Sequence, residues 1–197
     1  MKKLGFSLLL LAVLLLVESS SHLSIASDGV HTQHLIRINQ LDPEQYRSAV
    51  EYQTWASSTC STAAMTEVMN YYGHNYRITD VLAVESHIGA ITPQLGLLFE
   101  DGIAQTVARF GFQTHAGHDF TLDQVIDLAT RGTPVIVSFP ASRYPHGHLL
   151  VVTGGNTTTV SVADSSILNI HALTRSRFLW YWGGFAAVVS PQEGGQS

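Results

Sequence analysis

A single change of hydrophobic period constrains what this chain can fold into. From Cys60 onward the apolar positions Ala64, Met65, Val68, Met69 and Tyr72 recur at helical spacing, with Gly73 as the stop. A second helix is predicted over Asp80 to Ser86. A third starts near Gly96, carries Leu97, Ile103 and Val107, and ends at Gly111. Thr121-Leu122-Asp123-Gln124 fits a capping box ahead of Val125, Ile126 and Leu128, for a helix closing near Arg131-Gly132. The period then shortens to that of strands. Pro134–Phe139, Leu149–Thr153 and Thr158–Ala163 are β-branched runs, and Gly154-Gly155-Asn156 between the last two predicts a hairpin. A short helix over Thr174 to Trp182 and a closing strand from Phe185 to Val189 complete the pattern. Helices first and strands later make this an α+β domain with N-terminal helices packed on a C-terminal antiparallel sheet.

The N-terminus divides the chain differently. Met1-Lys2-Lys3, an apolar run from Leu4 to Val17 and a Ser-rich stretch follow the order of a secretory leader, with Ser24-Ile25-Ala26 as small residues for cleavage. The run is short against the roughly 20 residues of a membrane span, and an uncleaved N-terminal anchor is the other reading. No cysteine lies near the leader, which excludes a lipoprotein anchor. Residues 1–26 are therefore expected to be a signal peptide or anchor, 27–50 a linker, 51–191 the domain and 192–197 a flexible tail. The domain is expected to be secreted or otherwise extracytoplasmic. With 45% hydrophobic and 13% charged residues the balance is globular. The net charge of -5, with no Lys/Arg run after the first residues, argues against nucleic acid or a stable membrane partner beyond the leader. Oligomeric state is not readable.

Cys60 is the one cysteine of the 197 residues. In an oxidising compartment an unpaired thiol points to intermolecular pairing or reactivity, while a buried structural cysteine is the plainer alternative. Ser57, Ser58 and Thr59 are N-cap candidates, which puts Cys60 in the first turn of its helix, where exposed N–H groups and the macrodipole favour a thiolate. An activated thiol also needs an imidazole held by a third group. His148 opens the strand His148-Leu-Leu-Val-Val, with His146 as a close competitor. Asp164 ends the second strand of the expected hairpin, beside the start of the first. Gln53 lies just before the cysteine helix, where its amide could serve an oxyanion.

These residues carry a resemblance. Gln53 and Trp55, Cys60 with Ala63 and Ala64, Gly73, Gly132-Thr133-Pro134, His148 to Gly154, Val160 to Asp164, and the late Phe178 and Trp182 resemble the papain-like cysteine peptidases related to the bacteriocin-processing, double-glycine-cleaving family, in a stand-alone secreted form. The resemblance spans Gln53 to Val189. It implies a papain-like fold and Cys60 as nucleophile, His148 as general base, Asp164 as its orienter and Gln53 as oxyanion donor. A peptide or protein is then the substrate, and no cofactor is implied. Three positions depart from the family pattern: Ser61-Thr62 follow the cysteine where Gly-Pro or a similar small pair is usual, and Ser165 follows the aspartate where Pro is common. The chain carries no ATP-binding cassette, so transport-coupled processing is not implied. A non-catalytic papain-like binding module and an amine-accepting acyltransferase or transglutaminase-like enzyme are the alternatives.

Other signals are weaker. His115-Ala-Gly-His118 and His146-Gly-His148 are close histidine pairs without acidic or thiol neighbours at zinc spacing, so no metal is expected. Asn156-Thr157-Thr158 fits a glycosylation sequon and also a hairpin turn. Trp180-Tyr181-Trp182 reads as core packing or as a stacking platform. Gly194-Gly195 echoes a double-glycine site in the tail.

Overall fold

The computed structural model describes residues 34–192. The leader read over 1–26, residues 27–33 and Gly194-Gly195 lie outside them.

A 3-10 turn, Pro43–Gln45, precedes α1 (Ala49–Trp55), α2 (Cys60–Tyr71) and α3 (Ile78–His87). A small antiparallel ribbon, β1 (Ile91–Thr92) and β2 (Gly96–Leu97), leads into α4 (Asp101–Ala108), β3 (Phe112–Gly117) and α5 (Leu122–Thr130). Then come β4 (Val135–Phe139), β5 (His148–Gly155), β6 (Thr159–Ala163), β7 (Ala172–Thr174), α6 (Arg175–Tyr181) and β8 (Ala186–Pro191). The main sheet has six strands, all neighbours antiparallel, in the order β3-β8-β4-β5-β6-β7. The α+β reading thus holds.

Both sheet faces are covered, which explains why the central strands are nearly continuous apolar runs rather than alternating ones. Ile136, Leu149, Val151, Ala163, Ala187 and Val189 face α2 and α4, packing on Met65, Val68, Met69, Ile103 and Val107. Their neighbours Val135, Val137, Leu150, Val152, Val160 and Val162 face the other way, onto Val125, Ile126 and Ala129 of α5 and Phe178 of α6. One-residue alternation along β4 and β5 therefore feeds two cores, and any slip of register would exchange them.

The expected capping box forms at α5. Thr121 Oγ1 accepts from the Gln124 N–H (3.2 Å), and Gln124 Oε1 accepts from the Thr121 N–H (2.7 Å). The β5–β6 hairpin forms as well, with its turn at residues 156–158. There the Asn156 side-chain oxygen accepts from the Thr158 and Thr159 backbone N–H groups, so this carboxamide is committed to the turn. Trp182 is core, its indole N–H donating to the Phe185 carbonyl (2.7 Å), whereas Trp180 is exposed.

Two expectations need correction, and one strand carries no sequence signal. The third helix does not begin at Gly96: β1 and β2 occupy that stretch and α4 starts at Asp101. The polar run Phe112–Gly117 is an edge strand, β3, for which no strong alternation exists in the sequence. Most consequential, residues 34–50 are not a linker. Leu35, Ile38 and Tyr46 are buried, and the segment runs across the sheet end near Asp164, where the Gln40 N–H donates to the Ser165 carbonyl (2.9 Å).

The buried Tyr46 hydroxyl locks this segment to the cysteine helix. It donates to the Gln40 carbonyl (2.6 Å) and lies 2.8 Å from Thr59 Oγ1, at the N-cap of α2. Tyr46→Phe strands both partners, and should lower the unfolding free energy by about 1–3 kcal/mol in urea titrations.

Candidate active site

Thr59 caps α2 in position but not by its side chain, because that hydroxyl is engaged by Tyr46. The first-turn N–H groups of α2 are consequently not consumed by a cap and remain open to an anion. Cys60 is the first helical residue and is partly exposed on the floor of an open cleft of about 970 Å³.

His148 reaches the same cleft from β5. Its backbone direction is set by a tight turn in which His146 and Gly147 both take left-handed φ values of 66° and 71°, closed by the Gly147 N–H donating to the Tyr144 carbonyl (2.9 Å). The imidazole Nε2 pairs with Asp164 Oδ1 at 2.7 Å, which leaves Nδ1 for the cysteine side. Tyr144 lies across the ring at 6.0 Å between centroids and nearly parallel. The Cys60 thiol stands close enough to the ring to be one of the groups that raise the imidazole above its ordinary value.

Asp164 is fully buried and its carboxylate is saturated. Besides His148 it accepts from the Ser166 N–H (2.9 Å), the Ser166 hydroxyl (2.9 Å) and the Ile170 N–H (3.0 Å). Burial opposes its ionisation, but these donors outweigh burial and hold the carboxyl well below the usual carboxylate range. For His148 burial likewise disfavours charge. Asp164 and then Cys60 more than compensate, raising the imidazole to about 9. The pair therefore rests as imidazolium and carboxylate at neutral pH.

The N-terminal segment braces this pair from behind. The Arg37 guanidinium donates to the carbonyls of Asp164 and Ser166. Glu67, two turns beyond Cys60 on α2, accepts the Ile38 N–H (2.8 Å) through Oε1, while its buried Oε2 has no partner.

Of the four residues singled out by sequence, Cys60, His148 and Asp164 converge, and the exposed His146 lies at the cleft rim with its competitor role unsupported. Gln53 does not join them: it is exposed on α1 and does not line the cleft. A different glutamine does. Gln40 is buried against the cleft; its Nε2 donates to the Ala56 carbonyl (2.9 Å) and its Oε1 accepts from the Ser165 hydroxyl (2.9 Å). Those two bonds fix the amide's orientation and leave one Nε2–H unspent.

One cleft wall is the β1–β2 ribbon. At Gly96 (φ 68°) a Cβ would stand 3.1 Å from the Ser58 carbonyl, so the ribbon backbone closes directly on the segment leading into Cys60. The opposite wall carries Tyr144 and the exposed Ile167 and Leu168. Among the described residues no three His, Cys, Asp or Glu side chains converge as metal ligands, and no helix is long and apolar enough to cross a membrane. His118 of the noted pair instead contacts Glu100 (2.8 Å).

The sequence profile of the Peptidase C39 like family matches residues 36–187. The chain belongs to this family. As a C39-like protein it is a cysteine-type peptidase, and the matched span begins one residue before Arg37, taking in the segment that carries Gln40. Solved structures share its fold. The peptidase domain of Streptococcus ComA, a bifunctional ABC transporter of a quorum-sensing pathway, superposes with a TM-score of 0.62 at 21% identity, over 81% of this chain and 100% of that one. The Streptococcus mutans ComA peptidase domain gives 0.51 at 17% identity, over 79% and 98%. A double-glycine-motif protease from an AMS/PCAT transporter, solved with its leader peptide, gives 0.54 at 13% identity, over 81% and 94%. No curated protein matches the sequence.

The pH behaviour of Glu67 tests this description. Burial raises its carboxyl from the usual value to about 8, against the Ile38 N–H and Arg37, which lower it. Between the unfolded value near 4.5 and the folded value near 8 the native state holds more protons than the unfolded state, so stability falls as pH rises through that window. Glu67→Gln removes the part of the slope that Glu67 contributes: urea titrations should show the variant gaining on the wild type from pH 5 to pH 8.

Proposed function

We propose that this C39-like peptidase is an exported enzyme that hydrolyses peptide bonds through a Cys60–His148–Asp164 triad and an acyl-enzyme. The observation that carries the reading is the 2.7 Å bond from His148 Nε2 to buried Asp164, with Cys60 at an uncapped helix N-terminus on the ring's other side.

The chemistry follows from the charges. A thiol attacks as its anion, and a neighbouring imidazolium with open first-turn N–H groups is the kind of surrounding that reactive cysteines use. The Cys60 sulfur attacks the substrate carbonyl, and the developing oxyanion is met by the Cys60 backbone N–H and the unspent Nε2–H of Gln40. That reassigns to Gln40 the role the sequence resemblance gave to Gln53. His148 delivers its proton to the leaving amine, and the neutral ring then activates the water that releases the acyl group. Asp164 keeps the tautomer and orientation of the ring throughout. The Ser165 hydroxyl, standing where the family commonly has proline, helps hold the Gln40 amide flat against the cleft.

A peptide substrate is supported by the open cleft and by the fold relative that was solved with a leader peptide bound. Export is supported by the leader-like order of residues 1–26.

The test uses the full chain and a quenched fluorescent peptide library. Cys60→Ala should lower cleavage by roughly 10³-fold or more. Gln40→Ala should lower kcat by about 10²-fold with KM little changed, whereas Gln53→Ala should stay within about twofold of wild type. Full cleavage by Cys60→Ala would overturn the reading. Thiol labelling without cleavage would favour a binding module, and products joined to an added amine would favour the acyltransferase.

The alkaline limb is a further check. His148 gives up its proton near pH 9, and the imidazolium needed by the leaving amine disappears with it. kcat/KM should therefore fall as pH rises through about 9.

A further inference from the structure

The pair Ser61-Thr62, which directly follows the cysteine, is not exposed at the cleft. Both side chains are fully buried, and both point at one carboxylate: the Ser61 hydroxyl donates to Glu85 Oε1 (2.7 Å) and the Thr62 hydroxyl to Glu85 Oε2. Glu85, in the last full turn of α3, is itself fully buried. We propose that Glu85 is a positioning residue for the nucleophile, gripping the two residues after Cys60 so that the first turn of α2 stands at a fixed angle to His148. The proposal rests on Cys60 acting as the nucleophile.

Three observations support it independently of one another. First, the turn that carries Cys60 lacks the usual side-chain cap, because Thr59 is engaged by Tyr46. A helix start without a cap frays unless something else holds it, and the bidentate clamp holds the second and third residues of this one. Second, Glu85 is tied to the cleft wall. Its carbonyl accepts from the Ala90 N–H (3.0 Å), and the Ala90 carbonyl accepts from the Leu98 N–H (2.8 Å), just past β2. One residue thus joins the ribbon on one side of the cleft to the thiol on its floor. Third, the arrangement is costly. Burial raises the Glu85 carboxyl to about 7 in spite of both hydroxyl donors, and a site needing only packing is filled as well by apolar side chains.

The geometry also says which replacements can substitute. Glutamine retains the length and two polar atoms: its oxygen accepts from one hydroxyl and its nitrogen donates to the other. Leucine retains the volume and neither bond. Thr62→Val and Ser61→Ala each remove one hydroxyl while leaving Glu85 in place.

The decisive experiment compares Glu85→Leu, Glu85→Gln, Thr62→Val and Ser61→Ala in the full chain, with Cys60→Ala as control. Because Cys60 is the sole cysteine, alkylation by iodoacetamide followed by mass spectrometry reads its reactivity directly, without a natural substrate. kcat and KM are read on the best peptide found in the fluorescent library. We expect Glu85→Leu to lower both kcat and the alkylation rate by about tenfold, Thr62→Val and Ser61→Ala by a few-fold each, with KM within about twofold throughout. Glu85→Gln should restore most of both rates. If Glu85→Leu does not fold, the two hydroxyl variants carry the same comparison. Unchanged alkylation and kcat in folded Thr62→Val and Ser61→Ala would overturn the proposal, as would a Glu85→Gln no better than Glu85→Leu. Cleavage that survives Cys60→Ala would instead overturn the underlying triad, which keeps the two failures apart.

Discussion

The Asp164 carboxylate is the node on which the rest of this site depends. It is fully buried at the end of β6, where an ionised group without partners would not survive. Two backbone N–H groups, one hydroxyl and the His148 ring supply four donors, and Arg37 takes the carbonyls of Asp164 and Ser166. With the aspartate held as an anion, the imidazole beside it is held as a cation, and the ring is fixed by its own Nε2 bond. The polarity of the Cys60 environment is thus decided by a hairpin far from it in sequence, whose ends His148 and Asp164, 16 residues apart, must meet. That meeting is a consequence of register: Val151 opposite Ala163 and Phe139 opposite His148 bring the start of β5 and the end of β6 to the same edge of the cleft.

Register is in turn enforced by the two cores. Residues 149 and 151 belong to the layer under α2, and 150 and 152 to the layer under α5. A slip by one residue would bury each set against the wrong helix and would turn His148 away from the thiol. Packing on both faces thereby sets the geometry of the cleft. The thiol end is held differently, by polar groups. Tyr46 occupies the N-cap hydroxyl and Glu85 holds the two residues that follow, so the α2 N–H groups stay open without the turn being loose.

What sequence reasoning could see followed from how local each signal is. The α2 stripe, the capping box at Thr121 and the β5–β6 hairpin are each carried by residues close together in the chain, and the structure has them all. His148 and Asp164 were legible because a hairpin is itself a local device that places its two ends together. Gln40 was not. Its bonds to Ser165 join residues 125 positions apart, and its segment has only Leu35, Ile38 and Tyr46 as widely spaced apolar anchors, too sparse to show a period. A polar stretch of that kind reads as a linker, whereas Gln53 stands conspicuously near the cysteine. The one available hint was Leu35-Ile36-Arg37-Ile38, an apolar cluster unusual for a linker. Strand β3 was missed for a related reason: at the sheet edge only Phe112 is buried, so its sequence carries no alternation.

The departures from the family pattern share a physical logic. Ser61, Thr62 and Ser165, where the sequence resemblance leads one to expect small or imino residues, are each buried with the hydroxyl spent on another buried polar side chain, Glu85 for the first two and Gln40 for the third. A buried hydroxyl is tolerated only with its partner, and a buried carboxylate or amide only with its donors, so neither member of such a pair can change alone without stranding the other. Replacing Ser165 by proline would leave the Gln40 oxygen without that donor and would also remove an N–H from the loop that folds around Asp164. Replacing Ser61-Thr62 by Gly-Pro would leave Glu85 as a bare buried carboxylate, far more damaging than either substitution viewed at its own position. The site is therefore a set of linked polar pairs, and the residues flanking Cys60 and Asp164 are tightly specified by their buried partners.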